Sequence, residues 1–159
     1  MNKNKITIFY LLNFYNFIIF WRNEAVRVPA LMLLSTLATE KEAKELLNDN
    51  ALSLLVDLLG KSVRNELPKE GPLWTSRRRS LVIRTLEKMI TSDDRVVATL
   101  LKLNLLPLLG NALDSPNATQ AELRATLTCL WTLSNGADAL QRISKNVELI
   151  KSMHVRILR

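Results

Sequence analysis

One layout recurs along the 159 residues and constrains the fold more than any other feature. It runs from a long amphipathic stretch through a polar break, a shorter apolar stretch and a break near Asn to a Leu-rich stretch. The long stretch appears as Glu24 to Ala38, Ser76 to Ile90 and Gln120 to Ser134, in which Leu37, Met89 and Leu133 align, 52 and then 44 residues apart. The Leu-rich stretch appears as Ala51 to Leu59 after Asn50, and as Leu105 to Leu113 after Asn104. Leu52, Leu54, Leu55 and Leu59 then superpose on Leu106, Leu108, Leu109 and Leu113, and Val147 to Leu158 is a weaker third copy. Val and Ile never form an alternating run, so every stretch reads as helix. A three-helix unit of roughly 40 to 47 residues cannot bury its apolar stripe alone, and successive units must stack around one continuous core. The expectation is an all-α fold: a right-handed α-solenoid of about three repeats. It is incomplete at both ends, entering at the long helix of one unit and stopping within a Leu-rich helix of another.

The larger first interval has a visible source in 60–75, whose Pro68, Gly71 and Pro72 oppose continuous helix. This segment reads as a loop insertion, with Trp74 as a possible anchor to the core. The equivalent link, Asp114 to Ala118, is short. Ser115-Pro116 stops one helix there and Thr119 is placed to cap the next.

The first 21 residues do not match the rest. Phe9, Tyr10, Phe14, Tyr15, Phe17 and Phe20 crowd into them, and no Phe or Tyr follows. Lys3 and Lys5 ahead of an apolar run suggest a signal or anchor. Against that, the run from Ile6 to Trp21 is shorter than the roughly 20 residues a spanning helix needs, and Asn13 and Asn16 interrupt it. A native helix capping the repeat stack is a second reading. A third is translated non-coding sequence, since Asn, Lys, Ile, Phe and Tyr are specified by AT-rich codons. The domain boundary falls at this break, with a repeat domain over 22–159.

Hydrophobic residues at 48% and only four Gly and five Pro argue against extensive disorder. The net charge of +7 permits an acidic partner or nucleic acid, although most basic residues alternate with acids as on solvated helix faces. Cys129 is the single cysteine, too few for an internal disulfide or a zinc site, and points to a reducing, cytoplasmic or nuclear setting. No phosphate-binding Gly loop, no nucleophile–His motif and no carboxylate pair on an expected concave face is present, so no enzyme, cofactor or metal site is expected.

Trp131-Thr132-Leu133-Ser134-Asn135, followed by Gly136-Ala137-Asp138, resembles the Trp-x-Leu-x-Asn signature that closes the third helix of armadillo repeats. At the repeat level the resemblance extends over Asn23 to Arg159, though the signature itself occurs once. In armadillo proteins that bind extended peptides, this Trp and Asn line the concave groove. The Asn amide pairs with the ligand backbone, and the Trp side chains form slots. The resemblance therefore implies a partner-binding role for Trp131 and Asn135.

Their spacing of four puts them on one helix face with Arg124 and Thr128. The matching face of the preceding unit is Ser80, Arg84, Glu87 and Thr91, and that of the first unit is Val28, Met32, Ser35 and Thr39. Neither repeats the Trp and Asn pair, so a ladder of slots for basic import signals is not expected. A mixed polar groove for another peptide or protein segment fits better.

Each of these residues also has a plainer reading. Leu127, Leu130 and Leu133 surround Trp131 in sequence and could make it core. Asn135 before Gly136 could end its helix in a left-handed turn. Arg77, Arg78 and Arg79, with Arg84, could form a patch for a polyanion such as nucleic acid or phosphoinositide, or be a solvated helix start. His154 reads as incidental, and Asn117-Ala118-Thr119 as a chance match to a glycosylation acceptor. The favoured function is an intracellular protein-interaction scaffold. A polyanion binder and an armadillo adaptor tethered to a membrane through Ile6 to Trp21 are the alternatives.

Overall fold

The computed structural model describes residues 49–64, 72–91 and 94–157. Among them the chain is all helical: α1 (Asp49–Val63), α2 (Pro72–Ile90), α3 (Asp94–Lys102), α4 (Leu105–Asp114), α5 (Gln120–Ser134), α6 (Ala137–Lys145) and α7 (Val147–Ile157). The long copy at 24–38, the segment 1–21 and the side chain of Trp74 lie outside the described residues.

Each helix forms where its apolar residues recur at helical spacing. In α1, Leu52, Leu55, Val56 and Leu59 are buried at i, i+3, i+4 and i+7. In α2 the buried stripe is Val82, Ile83, Leu86, Met89 and Ile90. In α4 it is Leu105, Leu106, Leu109, Ala112 and Leu113. A Leu removed from water to this extent contributes about 1.5–3 kcal/mol, so these stripes set which faces turn inward. Pro107 falls in the first turn of α4, where a missing backbone N–H costs no helical hydrogen bond.

The loop expected over 60–75 is shorter at both ends. Gly60 to Val63 continue α1, and Arg64 N–H still donates to Gly60 O at 3.0 Å. Pro72 opens α2 at its first helical position, where its fixed φ suits the helix and its absent N–H is not needed. Arg77 to Arg79 therefore sit in the second turn of α2 and not at its start, which removes the conflict with the helix dipole expected of a basic helix N-terminus.

Between α3 and α4 the chain turns by 71° at Asn104. This residue adopts φ 57° and ψ 43°, the left-handed region, and is the one non-glycine with positive φ among the described residues. Asn tolerates this conformation better than any β-branched or apolar residue. The link between α4 and α5 is as short as expected. Ala118 N–H donates to Ser115 O at 3.2 Å across Pro116 and Asn117, and Thr119 Oγ1 accepts from Glu122 N–H at 3.3 Å as the N-cap of α5.

Helices of the same type lie against one another. Helix α2 packs on α5, α4 packs on both α1 and α7, and α1 also meets α2 and α3. The contacts fix the direction. Ser80 Oγ, midway along α2, donates to Ala121 O in the first turn of α5 at 3.5 Å, while Ile90 and Thr91 share a cleft with Thr132 and Asn135 near the C-termini. Helices α2 and α5 thus run parallel. Helices α4 and α7 do the same: Gly110 faces Leu149, and Asp114 accepts a 2.8 Å bond from Ser152. Arg156 Nε reaches Leu113 O at 2.7 Å, covering a carbonyl that the end of α4 leaves open.

Candidate functional site

The outer face of α5 carries the four residues singled out on that helix. Arg124, Thr128, Trp131 and Asn135 are all exposed, and Trp131 keeps 72% of its surface in solvent. The opposite face holds Ala125, Cys129, Leu130 and Leu133 in the core, which leaves the Trp131 indole no inward position. The core reading of Trp131 is therefore excluded. A tryptophan this exposed is uncommon on a helix that also contributes core leucines, because the ring is the largest apolar group available for burial.

The hydroxyls of this face turn back on their own helix. Thr128 Oγ1 donates to Arg124 O at 2.8 Å, Thr132 Oγ1 to Thr128 O at 2.9 Å and Ser134 Oγ to Trp131 O at 2.7 Å. The Arg124 guanidinium and the Asn135 amide bond to no described residue. Both remain available to a ligand. Asn135 does not end α5 in a left-handed turn. Its φ of −68° and ψ of −20° are right-handed, and its N–H closes on Thr132 O at 3.4 Å. Gly136 N–H donates to Leu133 O at 3.1 Å, so α6 starts at once and the last carbonyls of α5 need no left-handed residue.

On α2 the matching residues separate. Arg84 and Thr91 are exposed and Glu87 is half-buried, whereas Ser80 is buried against Ala121. A cleft of about 650 Å³ links the two helices at their C-terminal ends. It is lined by Ile90 and Thr91, by Val97 and Leu101 of α3, and by Thr132, Asn135 and the start of α6. Asn135 and Thr91, aligned by the repeat, thus meet across one cleft. Burial pushes the Cys129 thiol above its ordinary range, and the Glu87 carboxylate adds to the rise.

The basic cluster is not a surface patch. Arg77 and Arg84 are exposed, but Arg78 and Arg79 are buried, at 0% and 3% exposure. Arg79 points into the molecule and forms an ion pair with Glu122 of α5, which is itself fully buried. Its other nitrogens reach Ser62 O of α1 at 3.3 Å and Ser115 Oγ of the α4–α5 link at 3.2 Å. Three segments thus converge on one guanidinium carried by α2. Sequence reasoning missed this hub, although a signal was present. The 44-residue register that aligns Met89 with Leu133 also sets Arg78 opposite Glu122, so opposite charges face each other on stacked helices.

Among the described residues no group of three or more His, Cys, Asp or Glu side chains could hold a metal. No single described helix is long and apolar enough to cross a membrane. The bent pair α3 and α4 passes on length and composition, but its leucines are spent on the core. Comparison of the chain with protein-family models, curated proteins and solved structures finds no match.

Proposed function

We propose that this chain is an armadillo-like helical solenoid, right-handed, whose α2 and α5 present a groove for an extended segment of a partner protein. The observation that carries the reading is the face of α5. Trp131 stands in solvent there, in line with Arg124 and Asn135, whose side-chain polar groups the described residues leave unengaged. An exposed aromatic flanked by an unengaged amide and a guanidinium is the combination that anchors a bound segment: the ring supplies apolar area and the polar groups fix a backbone. The parallel stacking of α2 on α5 and of α4 on α7 supports the repeat architecture. A translational repeat brings like helices together in the same direction, whereas helical hairpins bring unlike ones together antiparallel.

The partner is a protein or peptide segment, and the groove requires no cofactor. A single buried, unpaired thiol favours a reducing, cytoplasmic or nuclear setting for the encounter. A polyanion reading is less supported, since two of its four arginines are directed into the core. A membrane tether would depend on 6–21, outside the described residues.

The test is affinity capture with the full chain and with a Trp131→Ala/Asn135→Ala variant of unchanged helical circular dichroism. The partners lost by the variant are then titrated directly. The reading predicts salt-tolerant binding of a defined protein that the double substitution abolishes. Identical capture by both chains, or capture of polyanions that vanishes with salt, overturns it.

A further inference from the structure

Ser115-Pro116 is the one Ser-Pro or Thr-Pro pair in the sequence, and it lies in the short link between α4 and α5. The peptide bond is trans, and Ser115 is extended, at φ −57° and ψ 123°, as a residue before proline tends to be. Pro116 and Asn117 are exposed and Ser115 is half-buried. Two guanidiniums from different helices meet at this serine. Arg79 Nη2 lies 3.2 Å from its Oγ, and Arg156 Nη2 lies 3.2 Å from its carbonyl oxygen. Arg79 is almost wholly buried, so its position beside the hydroxyl is set by packing and not by chance at the surface.

We propose that Ser115 is a phosphorylation site for a proline-directed Ser/Thr kinase and that Arg79 and Arg156 hold the resulting phosphate. In the transfer, the kinase's base takes the hydroxyl proton and Oγ attacks the γ-phosphorus of ATP. The Oγ–P bond forms as the bond to ADP breaks. The product carries close to two negative charges and three acceptor oxygens at neutral pH. Arg79 already lies at hydrogen-bond distance from Oγ, and Arg156 lies one peptide group away, so both reach the new oxygens with small side-chain adjustments. Charge-assisted bonds of this kind are roughly twice as strong as neutral ones.

The Asp114 carboxylate opposes the added charge, but its Oδ2 is turned toward Ser152 of α7. Glu122 competes for Arg79 without reaching Arg156, so Arg156 carries the larger share of the new interaction. Because Arg156 belongs to α7 and Ser115 follows α4, the phosphate fastens the last helix to the preceding unit. The link is held to other helices by the two arginines at Ser115, and to α5 by the Thr119 cap. It can therefore open to enter a kinase cleft without disrupting a buried stripe.

The experiment incubates the full chain with a proline-directed kinase and ATP, follows the intact mass and maps the modified residue by fragmentation. The melting temperature is then compared before and after modification. The proposal predicts one phosphate on Ser115, none on a Ser115→Ala chain, and a rise in melting temperature of about 2–4 °C on phosphorylation. The rise should disappear in Arg156→Gln and be partly kept in Arg156→Lys, each variant being compared with its own unphosphorylated form. Should Arg156→Gln not fold, Arg156→Lys alone decides, through a rise smaller than that of the parent. Absence of phosphate at Ser115, an unchanged or lower melting temperature, or a rise insensitive to residue 156 overturns the proposal.

Discussion

Arg79 on α2 and Glu122 on α5 form a two-pronged ion pair in the interior, with side-chain exposures of 4% and 0%. Nε donates to Oε1, and Nη2 donates to Oε2 at 3.2 Å. The pair joins successive units of the stack. Thr119 Oγ1 caps the start of α5, and Glu122, three residues on, reaches across to Arg79.

Removing one partner of this pair strands a charge in a dry environment. Glu122→Ala is expected to destabilise the chain by about 3–5 kcal/mol, whereas Arg79→Met/Glu122→Leu, which removes both charges and keeps volume, should lie much closer to the parent. Urea titrations followed by circular dichroism measure both. A double variant no more stable than the single one would show that the hydrogen bonds to Ser62 and Ser115, and not the ion pair, are what the site requires.

Trp131 and Leu130 are neighbours with opposite surroundings, 72% and 1% exposed. Trp131→Ala should change folding stability by less than about 0.5 kcal/mol, as for most surface substitutions. Leu130→Ala should cost about 2–5 kcal/mol through lost transfer energy and a residual cavity. Parallel denaturation of the two variants separates a residue kept for contact from one kept for packing. Equal losses would return Trp131 to the core.

The left-handed conformation of Asn104 gives a third expectation. Asn104→Gly should be close to neutral, since glycine adopts φ 57° without strain, while Asn104→Val should lose about 1–2 kcal/mol. Denaturation midpoints check this. A tolerated valine would mean that the turn between α3 and α4 adjusts freely.

How far the sequence discloses this structure differs from element to element. Helix α5 spans the same residues as the long stretch read from the pattern, because Thr119 marks its start and Gly136 its end and both signals are local. Helices α1 and α2 run past their apolar stripes, because nothing stops a helix where its buried contacts stop: Gly60 is merely a weak helix former, and Pro72 is favoured at a first position. The face of α5 was legible from spacing alone, but whether Trp131 pointed in or out was not. The stripe of Leu127, Leu130 and Leu133 surrounds it in sequence, and only the angle at which α5 lies on α2 decides the matter. The Arg77 to Arg79 run was misleading for a related reason. A basic run reads as solvated unless a carboxylate 43 residues away is known to face it, and that distance is set by the stacking of one unit on the next.

That same stacking surrounds Cys129 and gives a prediction in pH. The thiol is fully buried, and desolvation together with the Glu87 carboxylate holds it protonated well above its ordinary range. An unfolded chain releases this proton near pH 8.5, the ordinary value for a thiol. Below that pH both states keep the proton and Cys129 contributes no pH dependence. Above it the unfolded state alone ionises, so the unfolded chain binds fewer protons and stability falls as pH rises, by up to about 1.4 kcal/mol per pH unit. Other groups titrate in the same range, and the informative quantity is therefore the difference between the parent and Cys129→Ala. The parent should lose stability faster between about pH 8.5 and 10. The native thiol should also resist a thiol-reactive disulfide reagent until the chain unfolds. Prompt labelling of the folded chain, or identical pH profiles for the two proteins, would mean that α5 does not bury this residue against α2.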